Sequence, residues 1–224
     1  MTAAGSGTQT AGRSTRLPRS ARRKQLLAAA QEVFVAQGYH AAAMDDIAER
    51  AGVSKPVLYQ HFPSKLALYL ALLDLSCEEM VAKTRAAMAA TSDNKERVRE
   101  AVRAYFDLID HESAAFRLVF ESDLRNEPAA RERVERAERE SVSAIADTIM
   151  ADTGVSRDRA ELLAAGLVGA AHAAARFWLT AGRSVPKPDA EMLLATLAWR
   201  GIASFPMQSE PEGVSSSPNP SSKE

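Results

Sequence analysis

Four histidines, one cysteine and scattered carboxylates bound the chemistry that this chain of 224 residues can carry. His40, His61, His111 and His172 lie far apart, and none belongs to an HExxH pair. No GxSxG elbow, Gly-rich phosphate loop or ligand-spaced Cys/His cluster accompanies them. Glu112 beside His111 is a single adjacent pair and orients no third group. The sequence is therefore expected to be no enzyme and to need no metal or cofactor. Cys77, as the single cysteine, excludes an intrachain disulfide framework and a multi-thiolate site. On a helical pattern it reads as an inert small hydrophobe more readily than as a reactive thiol. Binding chemistry concentrates instead in Asp45 to Lys65, DDIAERAGVSKPVLYQHFPSK. There Ser54, Lys55, Tyr59, Gln60, His61 and Lys65 are donors suited to phosphate oxygens and base edges, and Val57 offers a methyl surface to thymine.

The elements that must position these residues are legible in the same stretch. Ile47, Ala48 and Ala51 give one short helix an apolar side, and Gly52 can enter the left-handed region that ends it. Ser54 stands at the N-cap of a second helix, where its hydroxyl is expected to accept from an orphan N–H. Val53 and Leu58 have the spacing of a hydrophobic staple, and Pro56 falls in the first turn, where a missing N–H matters little. Two short helices about a glycine turn read as a helix-turn-helix, and the second would enter a major groove. Lys55 is placed to donate to guanine; Gln60, late on the helix, suits an adenine or a phosphate equally.

With its flanks, the segment resembles the DNA-binding signature of the tetracycline repressor (TetR) family of transcriptional regulators. The matching residues are Phe34, Gly38-Tyr39, Ile47-Ala48, Ala51-Gly52-Val53-Ser54, Leu58-Tyr59, His61-Phe62 and Ser64-Lys65. They cover about 50 positions, roughly residues 20 to 70, in an order and spacing that make the match specific. The resemblance implies that Tyr59 and His61 touch the phosphate backbone and that Lys65 clamps another phosphate. Met44 departs from the pattern, which more often has Ser or Thr there as a cap; Asp45 and Asp46 still favour that helix start through the macrodipole. The resemblance also implies a repressor on a double-stranded operator, its release from that operator by a small molecule, and a second domain with a pocket. Tyr105, Phe106, Ile109, Phe116, Phe120 and Trp178 are the pocket candidates, with His172 or Arg176 as polar handles; plain core is the competing reading for each.

Composition agrees with a soluble helical protein. The chain is 46% hydrophobic and 25% charged, rich in alanine, with its prolines outside the periodic stretches. An all-α fold is expected. Its net charge of −1 hides an asymmetry, because residues 1 to 66 hold nine Lys or Arg against four Asp or Glu. A basic head on an acidic body suits nucleic-acid binding. A helical interaction module whose basic arm meets an acidic protein partner is the other class of reading. Residues 1–18 are expected to form a disordered basic arm, either touching DNA or merely solubilising. Residues 19–66 are expected to be the three-helix DNA-binding domain, 67–206 a regulatory and dimerisation domain, and 207–224 a disordered tail. No leader peptide fits the start, and the longest apolar run, Leu162 to Ala171, is far short of the ~20 residues that span a bilayer. A cytoplasmic protein without membrane contact is expected.

Beyond the head, helices are expected from Ser20 to Gln37, Lys65 to Ala90, Lys95 to Asp110, Ser113 to Leu124, Pro128 to Ala151, Arg159 to Ala181 and Asp189 to Ser204. The last two are apolar over broad faces. Gly166, Ala170 and Ala174 leave room for another helix, and Leu163, Leu167, Leu193 and Leu197 supply bulk. These residues are expected to pair with their copies, since a helix-turn-helix reads a palindromic site best as a two-fold homodimer.

Overall fold

The computed structural model describes residues 17–110, 124 and 127–201. The expectations for the arm up to residue 16, for a helix from Ser113 with Phe116 and Phe120, and for the tail from 207 lie outside the described residues. Within them there are eight α-helices and no strand. These are α1 (Arg19–Ala41), α2 (Met44–Arg50), α3 (Lys55–His61), α4 (Lys65–Ala89), α5 (Asn94–Asp110), α6 (Pro128–Thr153), α7 (Arg157–Thr180) and α8 (Lys187–Arg200).

Local chemistry sets most boundaries. Gly38, at φ 79° and ψ 165°, breaks the helical path of α1. Gly52, at φ 63°, turns the chain between α2 and α3 in the left-handed region, where a Cβ would be strained. Ser64 caps α4, its hydroxyl accepting from the Ala67 N–H at 3.0 Å. The expected cap at Ser54 does not form, and the serine before α7 behaves in the same way. Ser54 and Ser156 occupy the N-cap positions of α3 and α7 with extended backbones, but neither hydroxyl makes a capping bond. At α2 the cap position is Ala43, and the Asp46 carboxylate accepts from its backbone N–H at 3.4 Å. That bond is the return arm of a capping box, from the third helical residue to the cap's own N–H; the expected cap position, Met44, is instead the buried first residue of α2, and no side chain caps the orphan N–H groups that follow.

The first core joins the head to the body. Leu26, Ala30, Phe34, Ile47, Leu58, Phe62, Leu68 and Tyr69 close α1, α2 and α3 onto the start of α4. Phe34, Tyr39 and Tyr69 pack edge to face or stacked, with centroids 5.3–5.9 Å apart. The same cluster continues along α4 to Met80 and Val81 and takes in Leu108 of α5 and Ala130 and Ala137 of α6. A second core holds Val102, Phe106 and Ile109 of α5 against Ala175 and Trp178 of α7 and Leu194 of α8. In a third, Ala146 of α6 meets Ala160 and Ala164 of α7, small side chains that let the two axes approach.

Ion pairs fix the relative directions of the body helices. Asp74–Arg133 and Arg85–Glu140 are successive rungs between α4 and α6, which run in the same direction. Arg97–Asp152 shows α5 running against α6, and Arg157–Asp147 with His172–Glu138 shows the same for α7. Cys77 is buried between α4 and its neighbours, and burial pushes its thiol up to about 11, which makes it the inert hydrophobe expected.

Candidate DNA-reading head and effector cavity

The head presents α3 on its surface. Leu58 has no exposed area and Phe62 is buried, so these two hold the helix down. Lys55, Tyr59 and Gln60 are exposed, and Val57 and His61 are half-buried. Lys55 Nζ pairs with Asp45 at 2.8 Å, which raises its pKa through the hydrogen bond and the charge. Arg50 pairs with Glu32 on the same side of the domain. His61 sits beside the arginines that open α1. Partial burial, then Arg19, Arg23 and Arg22, lower its pKa. The Arg23 guanidinium lies 4.3 Å above the Phe62 ring and reaches the His61 carbonyl at 3.5 Å. These arginines extend the basic surface beyond α3, and their spacing on α1 was the signal for it. Lys65 is placed differently from the others. Its Nζ donates to the carbonyls of Tyr39, His40 and Ala42 at 2.7, 3.2 and 2.9 Å and lies 4.5 Å from the Tyr39 ring centroid. It is a clasp that ties the end of α1 to the start of α4.

The body holds a partly open cavity of about 550 Å³ between α4, α5, α6, α7 and α8. Its lining is chiefly apolar: Met80 and Met88 from α4, Val98 and Val102 from α5, Ile145 and Ile149 from α6, Val168 from α7 and Leu194 from α8. On α5 the wall runs from Asn94 to Tyr105, roughly 16 Å at ~1.5 Å per residue. At one end Arg97 is held by Asn94 and Asp152 at 2.8 and 2.7 Å and by the Thr91 carbonyl at 2.7 Å. At the other, Tyr105 stacks on His172 with centroids 4.8 Å apart, and His172 Nδ1 lies 3.5 Å from Glu138.

The structure divides the sequence-derived pocket candidates. Tyr105 and His172 line the cavity. Phe106, Ile109 and Trp178 lie in the second core instead, where the Trp178 indole N–H donates to the Val185 carbonyl at 2.7 Å. Arg176 is exposed and does not border the cavity. Sequence reasoning missed Met80, Thr84, Met88, Arg97, Ser141 and Ile149. For Met80, Thr84 and Met88 the one signal was the broad apolarity of α4, which needs partners on more than one side; Arg97, Ser141 and Ile149 had none.

The outer side of α7 and α8 is apolar and uncovered among the described residues. Leu162 and Phe177 are 76% and 72% exposed, and Leu163, Met192, Leu193, Leu197 and Trp199 are also exposed. A Cβ added at Gly166 would meet nothing within 4 Å, so none of the described helices uses the room that glycine leaves. Leu167, Ala170 and Leu197 border the cavity as well, and Ala174 packs on the second core. Contrary to the estimate from the run Leu162 to Ala171, α7 is long and apolar enough, by length and composition, to cross a membrane. Its buried residues, Ala160, Ala164, Ala175 and Trp178, are nevertheless committed to packing on α5, α6 and α8.

A capped helix-turn-helix with a basic surface, joined by one long helix to an all-helical body with a cavity, defines the class of helix-turn-helix transcriptional regulators. Residues 26–72 match the family of bacterial regulatory proteins called the tetR family, and residues 94–201 match the tetracyclin repressor-like C-terminal domain. The chain is 48% identical over 195 residues to the HTH-type transcriptional activator FasR of Mycolicibacterium smegmatis, covering 87% of this chain and 89% of that protein. It is 30% identical over 142 residues to the HTH-type transcriptional regulator CymR of Pseudomonas putida, covering 61% and 69%. Among solved structures it resembles a TetR-like regulator from Rhodococcus sp. RHA1, with a TM-score of 0.62, 29% identity and coverage of 85% of this chain and all of that one. It shares its fold with FadR from Bacillus subtilis in complex with stearoyl-CoA, at a TM-score of 0.64, 19% identity and coverage of 80% and 98%. The chain belongs to the TetR family of bacterial transcriptional regulators.

Proposed function

We propose that this regulator binds a palindromic operator as a homodimer and that an apolar small molecule in the cavity sets its affinity for DNA. The observation that carries this reading is the course of α4. Its first turns pack in the core of the head through Leu68 and Tyr69, and its later turns supply Met80, Thr84 and Met88 to the cavity wall. A ligand that shifts those later turns displaces the head, and with it the separation of two α3 helices on half-sites one or more helical turns apart. Ser54, Lys55, Val57, Tyr59, Gln60 and His61 make the DNA contacts, with Arg22 and Arg23 on neighbouring phosphates. The exposed face of α7 and α8 pairs with its copy, which covers Leu162, Leu163, Phe177 and Leu193. The protein works in the cytoplasm and carries out no catalysis.

Of the two directions of control, the name of the 48%-identical relative supports activation, whereas the family resemblance alone suggested repression. A gel shift with DNA from upstream of the protein's own gene tests the central claim. A sequence-specific complex is expected, and its absence over competitor DNA would sink the reading. A reporter assay on the bound promoter then gives the sign of control. Light scattering at micromolar concentration is expected to give a dimer mass that falls to the monomer's in Phe177→Glu.

A further inference from the structure

The wall of the cavity has an apolar gap, and the gap falls on the face that the proposed function gives to dimerisation. Most of the lining residues are buried or half-buried; the exposed ones are Asp152, Thr153, Ala170, Leu197 and Trp199. At the end of α6 this rim is polar and already tied, since the Asp152 carboxylate accepts from Arg97 at 2.7 Å. Ala170, Leu197 and Trp199 border the cavity from α7 and α8 instead. Ala170 precedes Ala181, the C-cap of α7, by as many residues as Leu197 follows Pro186, the N-cap of α8 (170 to 181 and 186 to 197). The two therefore stand at one level of an antiparallel pair. Nearer the loop that pair is closed by Ala175, Trp178, Leu194 and Ala195 of the second core. Past these residues each helix borders the cavity.

The gap is continuous with the uncovered apolar face. Leu193 and Leu197 lie four apart on α8, and Leu163, Leu167 and Ala170 follow one another at four and three on α7. Each stripe thus runs from the exposed face into the gap. An antiparallel helix pair that is apolar along its middle becomes self-complementary about a two-fold axis, and one reading head per chain calls for such an axis. We propose that a second copy of the chain, seated on α7 and α8, supplies the missing wall of the cavity, so that effector binding and dimerisation strengthen each other. This rests on the proposed function, both for the effector cavity and for the α7–α8 dimer. The bound molecule then touches α4, which leads to the head, and the interface that spaces the two heads.

The test uses the full-length protein with undecan-1-ol as the probe and follows tryptophan fluorescence. The chain has two tryptophans; Trp178 is buried, whereas Trp199, 46% exposed, stands in the gap and senses its closure. Phe177→Glu and Leu162→Glu put a charge on the face at residues that do not line the cavity, and circular dichroism checks that they stay folded. These monomers are expected to bind undecan-1-ol about tenfold more weakly than wild type, the effect of leaving roughly 55 Å² of apolar ligand surface in water. Reciprocity then requires saturating undecan-1-ol to tighten the wild-type dimer by the square of that factor, about a hundredfold, because two cavities close together. Dilution of wild-type protein with and without the alcohol measures this without any variant. Iodide should quench Trp199 strongly in the monomers and weakly in the dimer. Equal affinity of monomer and dimer, a dimer constant that the alcohol leaves unchanged, or a Trp199 as open to iodide in the dimer as in the monomers overturns the shared wall while cavity and dimer stand. No binding of the alcohol by wild type removes the effector cavity, and a wild-type monomer at micromolar concentration removes the dimer; either result takes the shared wall with it.

Discussion

The head and the body of this protein are packed to different standards. In the head, Leu26, Ala30, Ile47 and Leu58 have no exposed area, and the one lysine at its junction, Lys65, has three carbonyls to hold. In the body, five helices border a partly open cavity of about 550 Å³, and among the described residues the outer side of α7 and α8 is left apolar. A reading head must present α3 at one fixed angle, so it is built without slack. On the proposed function the body is a sensor with two arrangements close in energy, and a ligand and a second subunit would complete its core.

That contrast can be broken most directly by cutting side chains on each side. Leu58→Ala leaves a void in a full core and is expected to lower stability by about 3–5 kcal/mol, with loss of DNA binding. Ile149→Ala only enlarges a cavity already present and should lower it by about 1–2 kcal/mol. Denaturant titrations of the two variants compare them, and equal losses would remove the distinction between head and body. Lys65→Met comes next in size. A clasp on three carbonyls predicts a loss of about 1–2 kcal/mol in stability together with weaker DNA binding. A lysine that served only as a phosphate clamp would weaken DNA binding alone, with an unchanged melting temperature.

Lys55→Ala should do the reverse of Lys65→Met. Its partner Asp45 is exposed, so the melting temperature should hold. Operator affinity should drop about tenfold, and the salt dependence should become shallower if the lysine also meets a phosphate. The smallest expected effect is a pH dependence at His61. Partial burial and the arginines of α1 lower its pKa, so free protein holds the ring neutral at pH 7. DNA phosphates would offset those arginines and raise the pKa again. Binding then takes up a proton, and affinity should rise severalfold as pH falls from about 7 towards 5.5. His61→Gln should flatten that profile in a fluorescence-anisotropy titration.

Legibility in the sequence followed the same division. Gly52 ends α2 through short-range backbone chemistry at the boundary its residue type announced, and Gly38 breaks α1 where the first helix was expected to stop, although the helix resumes to Ala41. The helix-turn-helix is compact enough that spacing alone identifies its buried and exposed sides. Ser54 and Ser156 show the limit even there, because occupying a cap position does not oblige a hydroxyl to bond. In the body the aromatics Phe106 and Trp178 read equally well as pocket or core, and packing put them in the core. The cavity wall went to Met80, Ser141 and Ile149, residues with no signature of their own.

The sequence by itself therefore determined the all-helical fold, the place of the reading helix and the basic character of the head, because these depend on residues within a turn or two of one another. Tertiary structure alone decided that Lys65 closes the head, that α4 carries both a head core and a cavity wall, and that Tyr105 of α5 stacks on His172 of α7. Those outcomes depend on the directions and levels at which distant helices pack. Periodicity fixes a helix's faces but not the neighbour that each face will meet.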